Sequence, residues 1–254
     1  SSAASDVYKR QFVDLTKAIL KLALDNKVKT AEELGKLPMD GLTVADKIVE
    51  EVGKTGEKME IGAYETIEAP TVAFYNHFGN KLAVIVGFNQ ADVNYEVGHD
   101  VAMQIASMNP MAVDRNSVPQ ETIDTELKVA IEKTKEEQVK KAVEAALKKA
   151  GLNPNLLDSE AHIESNIAKG WLTEEEAEKG RKIAAETAAA KAANLPEQMI
   201  QNIAQGRLNK FFKESTLMEQ EFVKDGKLTI GQYLEQSSKG LAAVDFKRVN
   251  LNED

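Results

Sequence analysis

The stretch between residues 117 and 214 is helical in pattern almost throughout, and it constrains the fold more than any other part of the sequence. Ser117-Val118-Pro119-Gln120 matches a capping box, and Gly151 follows Ala150 where the helical pattern ends. The helix that this predicts would be roughly 45–50 Å long at about 1.5 Å per residue. Because a small core cannot cover such a length, the helix must project or pair with another helix.

A second long helix is predicted over 196–214, and it is the expected partner of the first. Its apolar side has helical spacing and consists of Ile200, Ile203, Leu208 and Phe211. Two shorter helices are expected at 159–169 and 174–193, with Thr173 and Glu176 forming a capping box. Residues 117–214 therefore predict an antiparallel helical-hairpin arm of the coiled-coil type, with an elaborated tip.

Upstream of this arm, side chains alternate between two faces with a period of two residues, in place of the helical pattern. Strands are predicted over 71–78 and 81–88, joined at Gly79-Asn80, a pair typical of a hairpin turn. Residues 58–67 are expected to add a third antiparallel strand through Met59, Ile61 and Ala63. The sheet is expected to be small, so it needs a cover to be stable.

The remaining predicted elements are helices over 12–25, 43–52, 92–108 and 229–236, and a strand over 242–251. Thr43 is expected to cap the second of these helices and Gly53 to end it. The 92–108 helix, which stops before Pro110, is expected to cover the sheet. The last strand is expected to pack through Val244, Phe246 and Val249. The predicted fold class is α+β: a small antiparallel sheet covered by helices, with the long arm attached.

The start of the chain is interpreted differently from the rest. Residues 6–11, Asp-Val-Tyr-Lys-Arg-Gln, look like a translated sequencing adaptor, and a native disordered tail is the alternative. The expected organisation is an extraneous tail at 1–11, a helical remnant of a first core part at 12–56, a sheet-plus-helix core subdomain at 57–116, the arm at 117–214 and a C-terminal return to the core at 215–254.

Composition favours a binding protein over an enzyme. The net charge is −9 and the pI is near 5.1, which disfavours direct contact with nucleic acid. The absence of cysteine excludes thiol chemistry and fits a cytoplasmic location, and no apolar run is long enough to span a membrane. No two of the three histidines have the spacing of a helical metal site. We therefore expect no catalytic residue, no metal and no cofactor.

Several segments carry a family pattern. The arm contains Asn194-Leu195-Pro196-Glu197-Gln198-Met199-Ile200 and then Asn202-Ile203-Ala204-Gln205-Gly206-Arg207-Leu208-Asn209-Lys210-Phe211, followed by Glu214, Leu217, Gln220, Phe222 and Val223. Val101-Ala102-Met103-Gln104-Ile105-Ala106 with Asn109-Pro110, and the closing Val244-Asp245-Phe246-Lys247-Arg248, also belong to it. Over essentially residues 12–254 the chain resembles the elongation factor Ts family.

The resemblance implies a guanine nucleotide exchange factor that binds elongation factor Tu, displaces its Mg²⁺ and GDP, and binds no nucleotide itself. It implies partner contacts at Val101, Gln104, Ile105, Met108, Asn109 and Pro110. Arg207, Lys210 and Lys213 form a basic stripe on the last arm helix, for which a solvated face is the preferred explanation on pattern alone. Arg207 and Lys210 are the candidates for contact with an acidic partner. A homodimer through the arm is a further expectation.

The chain departs from the family pattern in three respects. The family's N-terminal helical domain, first sheet subdomain and TDFVA-type motif have no counterpart, so the chain is expected to be N-terminally truncated and its exchange activity impaired. Gln104 stands where the family often has histidine, and the 151–193 region lengthens the arm. The alternative function is a coiled-coil scaffold or chaperone-like holdase, which would bind many unfolded clients without preferring elongation factor Tu.

Overall fold

The structure, a computed structural model, describes residues 2–252, with side chains from Lys9 onward. The helices are α1 (Ser2–Asn26), α2 (Ala31–Lys36), α3 (Val44–Thr55), α4 (Tyr95–Met108), α5 (Gln120–Lys149), α6 (Glu160–Ala168), α7 (Glu174–Ala193), α8 (Glu197–Ser215) and α9 (Ile230–Ser237). The strands are β1 (Pro38–Met39), β2 (Leu42–Thr43), β3 (Thr71–Asn76), β4 (Leu82–Phe88), β5 (Glu221–Phe222), β6 (Asp225–Thr229) and β7 (Ala243–Asn250). The α+β fold class is confirmed.

The chain divides into two compact units. The first runs to Asn109 and resumes at Ile230, and the second is Pro110–Thr229. The first unit holds the antiparallel sheet, in the order β3-β4-β7, and the second holds α5 to α8.

The third strand of the sheet is not the one that the sequence predicts. Residues 58–67 form no strand, and β7 takes the place beside β4, with Leu82 opposite Asn250 and Val86 opposite Phe246. Alternation shows that a segment can form a strand but not which distant segment it pairs with. The final strand itself is confirmed, but Val244 is exposed and not a packing residue.

Helix α4 covers one face of this sheet, as expected. Val84, Val86 and Phe88 of β4 are buried under it, together with Val101 and Ile105 of the helix. A Cβ atom on Gly98 would lie 2.7 Å from Cβ of Ala73, so glycine allows the helix to lie close against β3. The cover and the sheet therefore form one core.

The N-terminal helices differ from prediction at their ends. Thr43 caps α3 as predicted, accepting the backbone N–H of Asp46. The helix passes through Gly53, however, and ends at Thr55, where Gly56 takes the left-handed conformation with φ 72°. Helix α1 includes the predicted 12–25 segment and extends back to Ser2, through part of the stretch that was interpreted as an extraneous tail.

In the second unit, α5 packs against both α8 and α7, so the expected pairing of the two long helices is confirmed. Coiled-coil packing stays a prediction. The buried positions on α8 are Ile200, Ala204, Leu208 and Phe212, at intervals of four residues. Ile203 and Phe211, which were predicted on the buried face, are only half-buried. The buried residues of α8 recur at every fourth position. Ile203 and Phe211 each lie one position before a residue of that series, so they lie at the margin of the buried face.

The two predicted capping boxes have different outcomes. The Thr173–Glu176 box is present in full at the start of α7. The Ser117 box is wrong: Ser117 ends a short 3₁₀ turn, and the side chain of Asp114 accepts its backbone N–H. Helix α5 begins after Pro119 without a side-chain cap and ends before Gly151 as predicted.

Candidate functional site

Helix α4 carries four of the eight residues that the sequence proposes for a partner contact, and both its ends are defined by local chemistry. The side chain of Asn94 accepts the backbone N–H of Glu96 at 2.9 Å and starts the helix. Asn109 ends it in the left-handed conformation with φ 43°, and its backbone N–H reaches the carbonyl of Ile105 at 3.0 Å.

Three of the proposed contact residues on α4 face inward. Val101, Gln104 and Ile105 have no exposed area and belong to the core of the first unit. Their side chains cannot reach a partner in this conformation. Truncation of the Gln104 side chain would leave a buried polar contact unmade, so we expect it to destabilise the fold.

The exposed part of the predicted surface is the C-terminal end of α4. Met108 is 46% exposed and Asn109 is also exposed, whereas Pro110, the first residue of the second unit, is buried. Met108 offers a flexible apolar side chain, a type common at adaptable protein-binding surfaces. Asn109 offers an amide donor and acceptor beside it.

Two residues near the end of the chain hold α4 in place, and sequence reasoning missed both. The hydroxyl of Tyr233 on α9 donates to Oδ2 of Asp100 at 3.0 Å. Arg248 on β7 donates to the carbonyl of Ala106 at 3.5 Å, at the C-terminal turn of α4 where a positive charge is favourable. These contacts join residues more than 130 positions apart, so no local pattern could have shown them.

The basic candidates on α8 are in different situations. Arg207 forms an ion pair with Glu137 of α5, which lowers the pKa of that carboxyl chiefly through its hydrogen bond to Arg207. Lys210 is 75% exposed and lies 3.7 Å from Glu214 one turn later. Lys210 is therefore the more available of the two for an acidic partner, because Arg207 would have to leave an existing pair.

Arg115 holds the C-terminal half of α8 in place. Its Nη2 donates to Glu219 at 2.8 Å and its Nη1 to Asn209 at 3.0 Å, while its Nε also contacts Glu219. The guanidinium lies 4.7 Å from the centre of the Phe212 ring. This arrangement ties α8 to the turn that follows it.

Within residues 9–252, no three His, Asp or Glu side chains lie close enough together to hold a metal ion. None of the helices in the described part of the chain has the length and apolar character needed to cross a membrane.

The sequence matches the family "Elongation factor TS" over residues 7–150 and 138–253. The chain belongs to the elongation factor Ts family. Both the α4 end and the Gly206–Phe211 segment of α8 lie within the matched residues.

Members of the elongation factor Ts family from Bacteroidales are similar to this chain along nearly all of its length. The relative from Bacteroides thetaiotaomicron is 52% identical over 244 residues, covering 96% of this chain and 74% of its own. The relative from Bacteroides fragilis is 51% identical with the same coverage. That from Porphyromonas gingivalis is 40% identical over 245 residues and 69% of its own length.

Proposed function

We propose that this chain is a guanine nucleotide exchange factor for elongation factor Tu and acts in translation elongation by promoting GDP release. Membership of the elongation factor Ts family, with 52% identity across 96% of the chain, carries this proposal. It acts by protein–protein contact and makes no covalent step. The scaffold or holdase alternative has no comparable support, since a helical pair alone does not specify a client.

The proposed contact surface is narrower than the sequence alone indicated. Met108 and Asn109 at the end of α4 are the exposed candidates, and Lys210 on α8 is a second. Val101, Gln104 and Ile105 act indirectly, by holding the helix on the sheet. Arg207 contributes only where a partner carboxylate replaces Glu137.

Exchange is a linkage between two ligands of elongation factor Tu. If the factor weakens GDP binding by a given ratio, GDP weakens binding of the factor by the same ratio. The factor must therefore prefer a conformation of its partner that holds GDP poorly. This reciprocity distinguishes an exchange factor from a protein that merely adheres to the partner.

A role in translation elongation also implies a cellular location and a class of partner. We propose a cytoplasmic location, and a net charge of −9 supports contact with a protein and not directly with nucleic acid. A homodimer through the arm stays a prediction.

A calorimetric titration tests the proposal. The chain is added to nucleotide-free elongation factor Tu and, separately, to its GDP complex. We expect binding in both cases, with a weaker affinity when GDP is present. Equal affinities would show adhesion without exchange, and no binding beside a ready interaction with unfolded clients would support the holdase instead.

A further inference from the structure

The helical arm of the second unit has two separate apolar cores. The base cluster joins the segment just before α5 to the end of α8 and consists of Ala112, Val118, Leu208 and Phe212. The tip cluster joins α6 to the start of α7 and consists of Ile163, Leu172 and Ala177. Glycine lets α7 approach closely here, because a Cβ atom on Gly180 would lie 2.7 Å from Cδ1 of Leu157. Each end of the arm therefore has a core of its own.

Between the two clusters lies a stretch of the arm in which no side chain is buried, and we call it the waist. It consists of residues 135–146 on α5 and residues 181–199 on the returning side. The buried residues that bound it are Thr134 and Leu147 on α5, and Gly180 and Ile200 on the returning side. Because buried apolar contacts supply much of the local stability of a structure, we expect the waist to open more readily than either end of the arm.

Polar contacts do not compensate for the missing burial. Among the described residues, no side-chain hydrogen bond and no ion pair joins one side of the waist to the other. The ion pair of Glu137 with Arg207 leads from the waist to the base side of α8. The ion pair of Arg181 with Glu160 leads from the waist to the tip. The two sides of the waist are thus held together by apolar side chains that are half-buried at most.

The returning side of the waist is also broken. Helix α7 ends at Ala193 and α8 begins at Glu197, and Pro196 between them has no N–H to donate. The residue before a proline, here Leu195, is disfavoured in the helical conformation. Within the described part of the chain, no backbone hydrogen bond joins α7 to α8, and Pro196 provides no side-chain cap. The returning side therefore consists of two separate helices connected through residues 194–196.

The opposite side of the waist is continuous. Helix α5 runs unbroken from Gln120 to Lys149 and packs against both α7 and α8. A long helix curves gently when the hydrogen bonds along one of its sides lengthen slightly, so it can bend without losing a turn. A bendable helix opposite a break between two helices has the parts of a hinge, in which a few residues at element ends absorb the change in backbone angles.

We propose that the waist is a hinge about which the tip of the arm, residues 147–180, moves as one body relative to the base. Residues 194–196 absorb the change in backbone angles, and residues 135–146 of α5 bend. Each end keeps its shape during the motion, because the base cluster and the tip cluster lie on different sides of the hinge. The returning side stays helical up to the break, since the alanines at 188–190 and 192–193 favour a helix even without burial.

Distances between pairs of nitroxide labels, measured by pulsed electron paramagnetic resonance on the full chain, test the proposal first. The chain has no cysteine of its own, so labels attach only where cysteine is introduced. Lys179→Cys with Lys213→Cys spans the waist, and all the label positions are exposed. The control pairs are Lys133→Cys with Lys213→Cys on the base, and Ala168→Cys with Lys179→Cys on the tip. We expect the distance distribution across the waist to be about twice as wide as in either control pair.

A distribution across the waist as narrow as those within the base and the tip would overturn the proposal, because the arm would then be one rigid body. Circular dichroism establishes that each labelled chain keeps its helical content. None of these measurements involves elongation factor Tu, so this proposal and the proposed function can fail separately.

A change at the break tests where the hinge lies. Pro196→Ala restores a backbone N–H and lets a helix continue from α7 into α8, so the distribution across the waist should narrow towards the width of the control pairs. Pro119→Ala, at the proline that precedes α5 on the base, is the matched control and should leave that distribution unchanged. A distribution that Pro196→Ala does not narrow would contradict a hinge at residues 194–196.

Hydrogen exchange of the unchanged chain, followed by mass spectrometry, gives an independent measure that needs no label. Backbone amides within 184–193 should exchange roughly tenfold or more faster than those within 163–168 and 201–212, because the waist opens without disturbing either cluster. Equal protection of the three segments would show that the arm opens as a whole, and it would overturn the hinge.

Discussion

The hydroxyl of Tyr233 donates a hydrogen bond to the carboxylate of Asp100 at 3.0 Å, joining α9 to the helix that carries the proposed partner contact. Burial, and then this hydrogen bond, raise the pKa of Tyr233 to about 12. The neutral phenol is therefore favoured in the folded state. The helix that carries the proposed contact surface and the tyrosine that holds it in place come from the two separate sequence segments of the first unit.

Tyr233→Phe should lower the free energy of unfolding by about 1–2 kcal/mol at neutral pH, because the hydrogen bond to a carboxylate is lost. Because the pKa of Tyr233 in the folded chain lies above its unfolded value of about 10, the Tyr233 phenol holds its proton more tightly when the chain is folded. Its contribution to stability is full below pH ~10 and is lost as pH rises towards about 12. Urea unfolding of both proteins between pH 8 and 11 should show their difference shrinking only at the alkaline end. A constant difference would contradict the assigned pKa.

Leu208→Ala should destabilise the second unit by about 2–5 kcal/mol, because Leu208 is buried with Ala112, Val118 and Phe212. Lys210→Ala, two residues further along the same helix, is the control and should change stability by no more than about 0.5 kcal/mol. Urea unfolding of both variants, followed by far-ultraviolet circular dichroism, measures the difference. Similar midpoints for the two variants would mean that α8 does not bury Leu208.

Arg115→Lys should destabilise by about 1–2 kcal/mol, because lysine cannot keep the paired contact with Glu219 and the contact with Asn209 together. Arg181→Lys at the arm tip makes a matched control, since Arg181 also bonds a glutamate, Glu160, but in a pair more exposed to solvent. It should cost less. The two variants can be compared by thermal unfolding, and a larger effect at Arg181 would show that the Phe212 and Asn209 contacts of Arg115 add nothing.

Met108→Ala should weaken binding to elongation factor Tu without changing the thermal midpoint, because Met108 is exposed at the end of α4. Val49→Ala, at another exposed apolar residue of the first unit, is the control and should leave affinity unchanged. Gln104→Ala should instead lower the thermal midpoint, since its side chain is buried. Titration of each variant checks these results. Unchanged affinity for Met108→Ala would remove the end of α4 from the contact surface.

Local patterns predicted the helices well because the interactions that define a helix are local. The Thr173–Glu176 capping box and the stop at Gly151 are contained within a few residues, and both occur as expected. The Ser117 box failed because Asp114, just outside the motif, captures the same backbone N–H.

The sequence alone did not predict which distant elements pair or pack against each other. The pairing of β4 with β7 brings Leu82 opposite Asn250, and alternation in residues 58–67 could not show that this segment forms no strand and that β7 pairs with β4 instead. Gln104 was proposed for a partner contact because of its position in a family-like helix. Its burial depends on packing against other elements of the first unit, which a single helical stripe does not reveal.

Release of fluorescent GDP from elongation factor Tu, followed by stopped flow as the chain is added, measures exchange itself. We expect the release rate to rise with the concentration of the chain and to reach a plateau, with a smaller effect for Met108→Ala than for Val49→Ala at equal subsaturating concentration. A release rate that stays at its intrinsic value, at concentrations where titration shows elongation factor Tu to be saturated with the chain, would contradict a role in nucleotide exchange.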